Sequence, residues 1–164
     1  MKIAKTVEYA ASPEEVFAVL SDKAFQDAKC TATGAIRYTA TVATEGDRTV
    51  ITTERILPTD GMPDFAKSMV GDTLKVAERQ DWGPAGADGG RHGTVSMVVS
   101  GAPVALKGTL SLAPGGPGSV EQVDADLKAS VPLIGGKIEK AAAPPVEDAI
   151  AIEQRVAQQW LARG

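Results

Sequence analysis

The only histidine, His92, is the first candidate for proton transfer. It lies in the stretch Gly83-Pro84-Ala85-Gly86-Ala87-Asp88-Gly89-Gly90-Arg91-His92-Gly93, in which Asp88 stands close enough in sequence to orient an imidazole. A general base needs a fixed partner and a pocket, whereas five glycines in eleven residues compose an exposed hairpin loop. The loop lacks the Gly-Lys-Ser/Thr ending of a phosphate cradle, and no helical pattern follows it. Gly135-Gly136-Lys137 does precede a helix, whose free N–H groups suit an anion, but a tight turn into that helix explains the glycines better. Cys30 is the only cysteine. With a lone histidine beside it, the three or four ligands of a zinc centre are not supplied, and no metal or cofactor is expected. Cys30 reads as a half-buried residue at a helix end, the alternative being a Cys30–His92 nucleophilic pair. Asp124 and Asp126 share a strand face with Gln122, Lys128 and Ser130, which makes it the solvent side rather than an acid/base site. Arg37, Glu54, Arg55, Glu78 and Arg79 lie within the middle strands. Such charges normally face water, but in a sheet curved around a ligand one or two can turn inward and hold a polar head.

The elements that must position these residues follow from periodicity. Residues 2–9 read as a strand, and Ser12-Pro13-Glu14-Glu15 is a helix start: Ser12 caps, Pro13 fits the first helical position, and Glu15 closes a capping box. Val16, Phe17 and Leu20 then share a face, and Asp22 caps a second short helix carrying Ala24, Phe25 and Ala28. Strand signals follow over 34–44, 48–57, 73–82, from Val95 to Val99, and from Val104 to Leu112, with a turn at Glu45-Gly46-Asp47. Between the second and third of these, Pro63 to Gly71 reads as a short helix with Phe65 and Met69 one turn apart, where a lid or entrance would sit. Pro114-Gly115-Gly116-Pro117-Gly118 is a hairpin turn. The last strand alternates most cleanly, with Val123, Ala125, Leu127, Ala129 and Val131 on one face and polar residues on the other, which predicts an antiparallel sheet with one packed and one wet side. From Ile138 the period changes: Ala142, Pro145, Ala149, Ile152, Val156 and Trp160 continue one helical stripe. Pro144-Pro145 falls inside it and predicts a kink rather than a break, because the stripe keeps its phase across the prolines.

A chain of 164 residues is a single-domain length, and one domain over 1–164 is expected. Seventeen Lys and Arg against 21 Asp and Glu give a net charge of −4, without the basic balance of nucleic-acid binders. No apolar run approaches the ~20 residues that span a bilayer, and the N-terminal residues show no apolar block of signal-peptide length. With a single cysteine suiting a reducing compartment, the protein is expected to be cytoplasmic, with neither nucleic acid nor an integral membrane as partner. Strand, two short helices, six strands and one long helix make an α+β protein, with an antiparallel sheet of seven strands and its helices on one side. Twenty-six alanines and 17 glycines leave the space between sheet and helix poorly filled.

The first strand followed by Ala11-Ser12-Pro13-Glu14-Glu15-Val16-Phe17-Ala18-Val19-Leu20-Ser21-Asp22 resembles the entry motif of the START-like superfamily (SRPBCC), which includes pollen-allergen-like, polyketide cyclase/dehydrase-like and lipid-transfer domains. The element order resembles it over essentially the whole chain, and Val131-Pro132-Leu133-Ile134-Gly135-Gly136-Lys137-Ile138-Glu139 resembles a bacterial branch of unknown function. The resemblance implies a helix-grip fold with a ligand cavity between a curved sheet and the last helix. Pro144-Pro145 departs from what it implies for that helix. Because the superfamily carries several activities on one scaffold, three readings follow. The leading one is a small-molecule binder for an apolar ligand or lipid, without catalysis. The others are a cyclase- or dehydratase-like enzyme using the same cavity, and a non-catalytic protein-interaction module. Tyr38, Phe65, Met69, Trp82, Met97, Leu110, Leu127 and Val146 are the expected ligand contacts, each with ordinary core packing as the alternative, as it is for Trp160.

Overall fold

A computed structural model describes residues 1–163. Alternation buries Ile3, Val7 and Tyr9 along β1 (Lys2–Tyr9). Ser12 then accepts a hydrogen bond from the Glu15 N–H at 3.2 Å, and Glu15 Oε1 accepts one from the Ser12 N–H at 3.1 Å. This complete capping box opens α1 (Pro13–Leu20), with Pro13 in the first turn where a missing N–H is harmless. Asp22 caps α2 (Lys23–Ala32) by accepting from the Ala24 N–H at 2.9 Å.

The chain continues through β2 (Arg37–Glu45), β3 (Arg48–Pro58), α3 (Asp64–Val70), β4 (Thr73–Trp82), β5 (Arg91–Ser100), β6 (Val104–Gly115), β7 (Gly118–Ala129) and α4 (Gly135–Ala162). The seven strands form one antiparallel sheet in the order β1-β7-β6-β5-β4-β3-β2. The first two strands therefore sit at opposite edges, joined across the end of the sheet by α1 and α2. This is the α+β architecture expected from the element order, and the helix-grip fold that the resemblance implies: a seven-stranded sheet packed on a long C-terminal helix.

Two features differ from the sequence reading or sharpen it. His92 lies on β5 opposite Ser111, not in a loop, because β5 begins at Arg91. The Gly93 that suggested a loop is there for packing, since a Cβ would stand 2.7 Å from the Asp81 carbonyl and 3.2 Å from the Trp82 ring. In α4, Pro144 and Pro145 are exposed and the helix runs through them unbroken. They still remove the N–H groups that would reach the Lys140 and Ala141 carbonyls.

The core is densest where α1, α2 and the end of α4 close one end of the sheet. Phe17 meets the fully buried Trp82 edge to face at 5.8 Å, and Phe25 meets Trp160 in the same way at 5.8 Å. At Gly108, in the middle of β6, a Cβ would collide with the Asp124 carbonyl and the Ala125 backbone of β7. Gly108→Ala is therefore expected to destabilise the protein by about 1–3 kcal/mol, the usual range for overpacking. The check is the urea midpoint, with an unchanged slope of unfolding free energy against urea.

Candidate functional site

The concave face of the sheet can be read strand by strand. On β3 it carries Ile51, Thr53 and Arg55, and on β4 Val76, Glu78, Gln80 and Trp82. On β7 it carries Ser119, Glu121, Val123, Ala125, Leu127 and Ala129. Between this face, α3 and the first half of α4 lies a hollow of about 300 Å³. Leu57, Met69, Val70, Val76, Met97, Val99, Ile138 and Val146 line it, with Ala66, Ala141, Ala142 and Ala149 where larger side chains would close it. The hollow exists because the helices present alanine to the sheet. Over its outer end α3 is held by the Lys137 ammonium, 4.3 Å above the Phe65 ring, and by the Thr59 hydroxyl, which donates to the Gly71 carbonyl at 2.7 Å.

The inner end is polar. A second cavity of about 50 Å³ shares Arg55, Met97, Val146 and Ala149 with the hollow and is lined further by Lys29, Glu78, Gln80, Glu121 and Glu153. The Lys29 ammonium donates to Glu153 Oε2 at 2.8 Å and Glu78 Oε1 at 3.2 Å, linking α2, α4 and β4. Gln80 Nε2 donates to the same Glu78 oxygen at 3.3 Å, and the Trp82 indole N–H donates to Gln80 Oε1 at 3.0 Å. Arg55 is 3% exposed, and its Nη2 stands 3.9 Å from Glu78 Oε2. On the β7 side the Tyr9 hydroxyl donates to Glu121 Oε1 at 3.3 Å.

Burial and charge set the protonation of this cluster. Burial alone would lower the Lys29 pKa, but Glu153 and then Glu78 outweigh it and hold the ammonium charged. Burial likewise opposes ionisation of Glu78, yet Lys29 and Arg55 keep its carboxyl below the usual carboxylate range. Glu121 has no such cation in contact. Burial first, then the charge of Glu153, pushes it up to about 8, so that it is protonated at neutral pH. Burial and Glu121 also push the Tyr9 phenol far up. Burial raises the Cys30 thiol, the opposite of what activates a nucleophile.

Of the eight residues expected to contact a ligand, Met69, Met97 and Val146 border the hollow, and Met97, Val146 and Leu110 border the small cavity. The other four border neither. Tyr38 is on the concave side of β2 but 37% exposed, because β2 is an edge strand. Phe65 packs under Lys137 beside the hollow, Trp82 is sealed against Phe17, and Leu127 pairs with Leu106 inside the core. Of the five mid-strand charges, Arg55 and Glu78 turn inward. Asp88 caps its own turn by accepting from the Gly90 N–H at 2.8 Å rather than orienting His92, and Asp124 and Asp126 face water near Lys2. Sequence reasoning missed Lys29, Glu121 and Glu153. Glu121 carries a legible signal, being two residues before Val123 and in phase with the apolar face of the last strand. Glu153 is four residues past Ala149 and three before Val156 on the buried stripe, and Lys29 is four past Phe25. No three His, Cys, Asp or Glu side chains among the described residues form a metal site, and no helix there is long and apolar enough to cross a membrane.

An open antiparallel sheet folded over a long helix, with two short helices after its first strand and a hollow between the layers, is the helix-grip fold, the fold of START-like (SRPBCC) domains. The chain belongs to the family described as "Protein of unknown function (DUF2505)", which matches residues 4–161. A relative from Mycobacterium tuberculosis (strain ATCC 25618 / H37Rv), "Uncharacterized protein Rv0481c", is 26% identical over 113 residues, 68% of this chain and 64% of the relative. The match thus spans less than two thirds of that protein's length. Among solved structures, TTHA0849 from Thermus thermophilus superposes with a TM-score of 0.62 at 13% identity, covering 99% of this chain and 98% of that one. Ara h 8.0201 gives 0.59 at 12% identity, with coverage of 100% and 99%. A point mutant of norcoclaurine synthase from Thalictrum, in complex with a transition-state analogue, gives 0.59 at 15% identity, with coverage of 99% and 94%. These likenesses concern the fold.

The cluster makes two predictions. Lys29→Met leaves Glu153 buried without its cation and Glu78 with only the more distant Arg55, and is expected to cost about 3–5 kcal/mol, read by urea denaturation. Folding raises Glu121 from its usual 4.5 to about 8. Its contribution is therefore complete below about pH 4.5 and is lost as the pH rises towards 8. Thermal melts from about pH 5 to about pH 9 should show the wild type losing stability relative to Glu121→Gln, whose amide stays uncharged. A difference between the two that does not change with pH would rule out a protonated Glu121.

Proposed function

We propose that this protein binds a small, mostly apolar molecule, a lipid or similar hydrophobic compound, in the hollow between the sheet and α4. The observation that carries this reading is the hollow itself: about 300 Å³ lined by aliphatic and methionine side chains, at the lower end of the range in which ligand pockets fall. Packed interiors leave few voids larger than a water molecule, so a space of this size needs a reason, and the alanines of α4 keep it open. Binding would be driven by removal of apolar surface from water, at about 25 cal/mol per Å². Met69, Met97 and Val146 are the contacts the reading keeps from the sequence-predicted set, with Leu110 at the inner end. A cytoplasmic setting belongs to the same reading and is supported by the single, fully buried cysteine.

A second reading, a cyclase- or dehydratase-like reaction in the same space, is favoured by one observation. Glu121, hydrogen-bonded to Tyr9, borders the inner cavity as a carboxyl poised to give up a proton near neutral pH. In that case Glu121→Gln would abolish turnover of the bound molecule without releasing it.

Native mass spectrometry of freshly purified protein, compared with its denatured mass, tests the first reading. A reproducible excess lost on denaturation is expected. Ala142→Phe, which fills the hollow from α4, should remove that excess while the protein stays folded by circular dichroism. An excess that survives in the filled variant would place the molecule elsewhere.

A further inference from the structure

Arg55 is the one charged side chain shared by the two cavities. It is almost completely buried, and its Nε–H has no hydrogen-bond acceptor. The carboxylate it pairs with, Glu78, is 3.9 Å from Nη2, beyond hydrogen-bond reach. Glu78 is already engaged, since its Oε1 accepts from both Lys29 and Gln80. A guanidinium has five N–H donors in a rigid fork, and burying them unpaired is costly. In a protein whose other buried cation, Lys29, is bonded to two carboxylates, the unsatisfied fork at the junction of an apolar and a polar cavity is the group left waiting for an acceptor.

The charges around it select the kind of acceptor. Lys29 and Arg55 face Glu78 and Glu153, two cations against two carboxylates. The third carboxyl on the same cavity, Glu121, is kept uncharged there. Surroundings that hold one of the protein's own carboxyls protonated do not favour an additional carboxylate from a ligand. A neutral oxygen satisfies the fork without disturbing this balance, and its apolar remainder fits the larger hollow, which Arg55 also borders.

We infer that Arg55 donates to an uncharged carbonyl oxygen of the bound molecule, so that the protein takes an apolar compound with a ketone, ester or amide at its inner end. This rests on the binding reading given above and adds to it the chemical class and orientation of the ligand.

Three matched naphthalenes test it by fluorescence titration: 2-propionyl-6-dimethylaminonaphthalene, the 2-propyl analogue without the oxygen, and 6-dimethylamino-2-naphthoate. The wild-type protein is expected to bind the ketone about tenfold or more tightly than the propyl compound, the difference a charge-assisted hydrogen bond makes. It should also bind the ketone more tightly than the naphthoate, with the ketone's emission shifted to the red of its value in an apolar solvent. In Arg55→Met the ratio of ketone to propyl affinity should collapse to about one, and the red shift should vanish. Equal wild-type affinities for the ketone and the propyl compound would overturn the role of Arg55 and leave the apolar hollow standing. A preference for the naphthoate would overturn the uncharged acceptor. Uptake of none of the three would sink the binding reading itself. The wild-type comparison stands without the variant, so a misfolded Arg55→Met would not block the decision.

Discussion

The Lys29 ammonium is the point at which the layers of this protein are tied together. It rises from α2 and reaches Glu153 of α4 and Glu78 of β4 within 2.8 and 3.2 Å. One cation therefore fixes the spacing between the two helical elements and the concave face of the sheet. Each polar group left unpaired in such a buried network is costly, and the neighbours of the Lys29 tie are paired accordingly, with Arg55 the exception. Gln80 and Trp82 continue the hydrogen-bond chain into the core, and Glu121, which has no cation of its own, stays protonated against Tyr9. The layers are thus held apart at one end by a rigid polar cluster and closed at the other by α3. Alanines on the intervening stretch of α4 leave the gap unfilled.

That division of labour explains the two characters of the interior. At the α1 and α2 end, edge-to-face aromatic pairs and sealed aliphatic side chains give a conventional dense core. At the α3 end the same sheet faces small side chains across a void. Stability and binding capacity are therefore separated along the length of one helix. The C-terminal part of α4 anchors through Val156, Ala157 and Trp160, while the part around Ala142 and Val146 borders the hollow.

Much of the architecture was legible in the sequence because its signals are local. The Ser12–Glu15 capping box, the Asp22 cap, the period-2 alternation of the last strand and the change of period after Ile138 all depend on neighbours within a few residues, and the structure contains each of them, the strand stopping at Ala129 rather than running on to Val131. The site was legible only in part, because the inward or outward aim of a charge is set by strand register and by partners far away in sequence. Arg55 and Glu78 stand out in the sequence as charges on strands, but their inward aim depends on the pairing of β3 with β4. Glu121 is in phase with an apolar face, but a carboxylate there contradicts the pattern that marks the face. Lys29 could not be recognised as buried without Glu78 and Glu153, 49 and 124 residues away. Glycine misled in the other direction. Gly93 resembled loop composition, whereas the close approach of Asp81 and Trp82 is what requires it.

The order of strands in the sheet also governs how the chain comes together in time. Strands β2 to β7 form a meander in which each pairs with its successor, so these hairpins close over short stretches of chain. By contrast, β1 has its strand partner in β7: Lys2 pairs with Asp126, and Tyr9 with Ser119. Closing so long a loop carries a large entropic penalty before any contact repays it, which slows folding. Until β7 has left the ribosome, β1 has no strand to pair with, and the apolar face of α1 has no α4 to cover it. In the nascent chain the apolar segment of β1 and α1 therefore stays unprotected until β7 and α4 have been made.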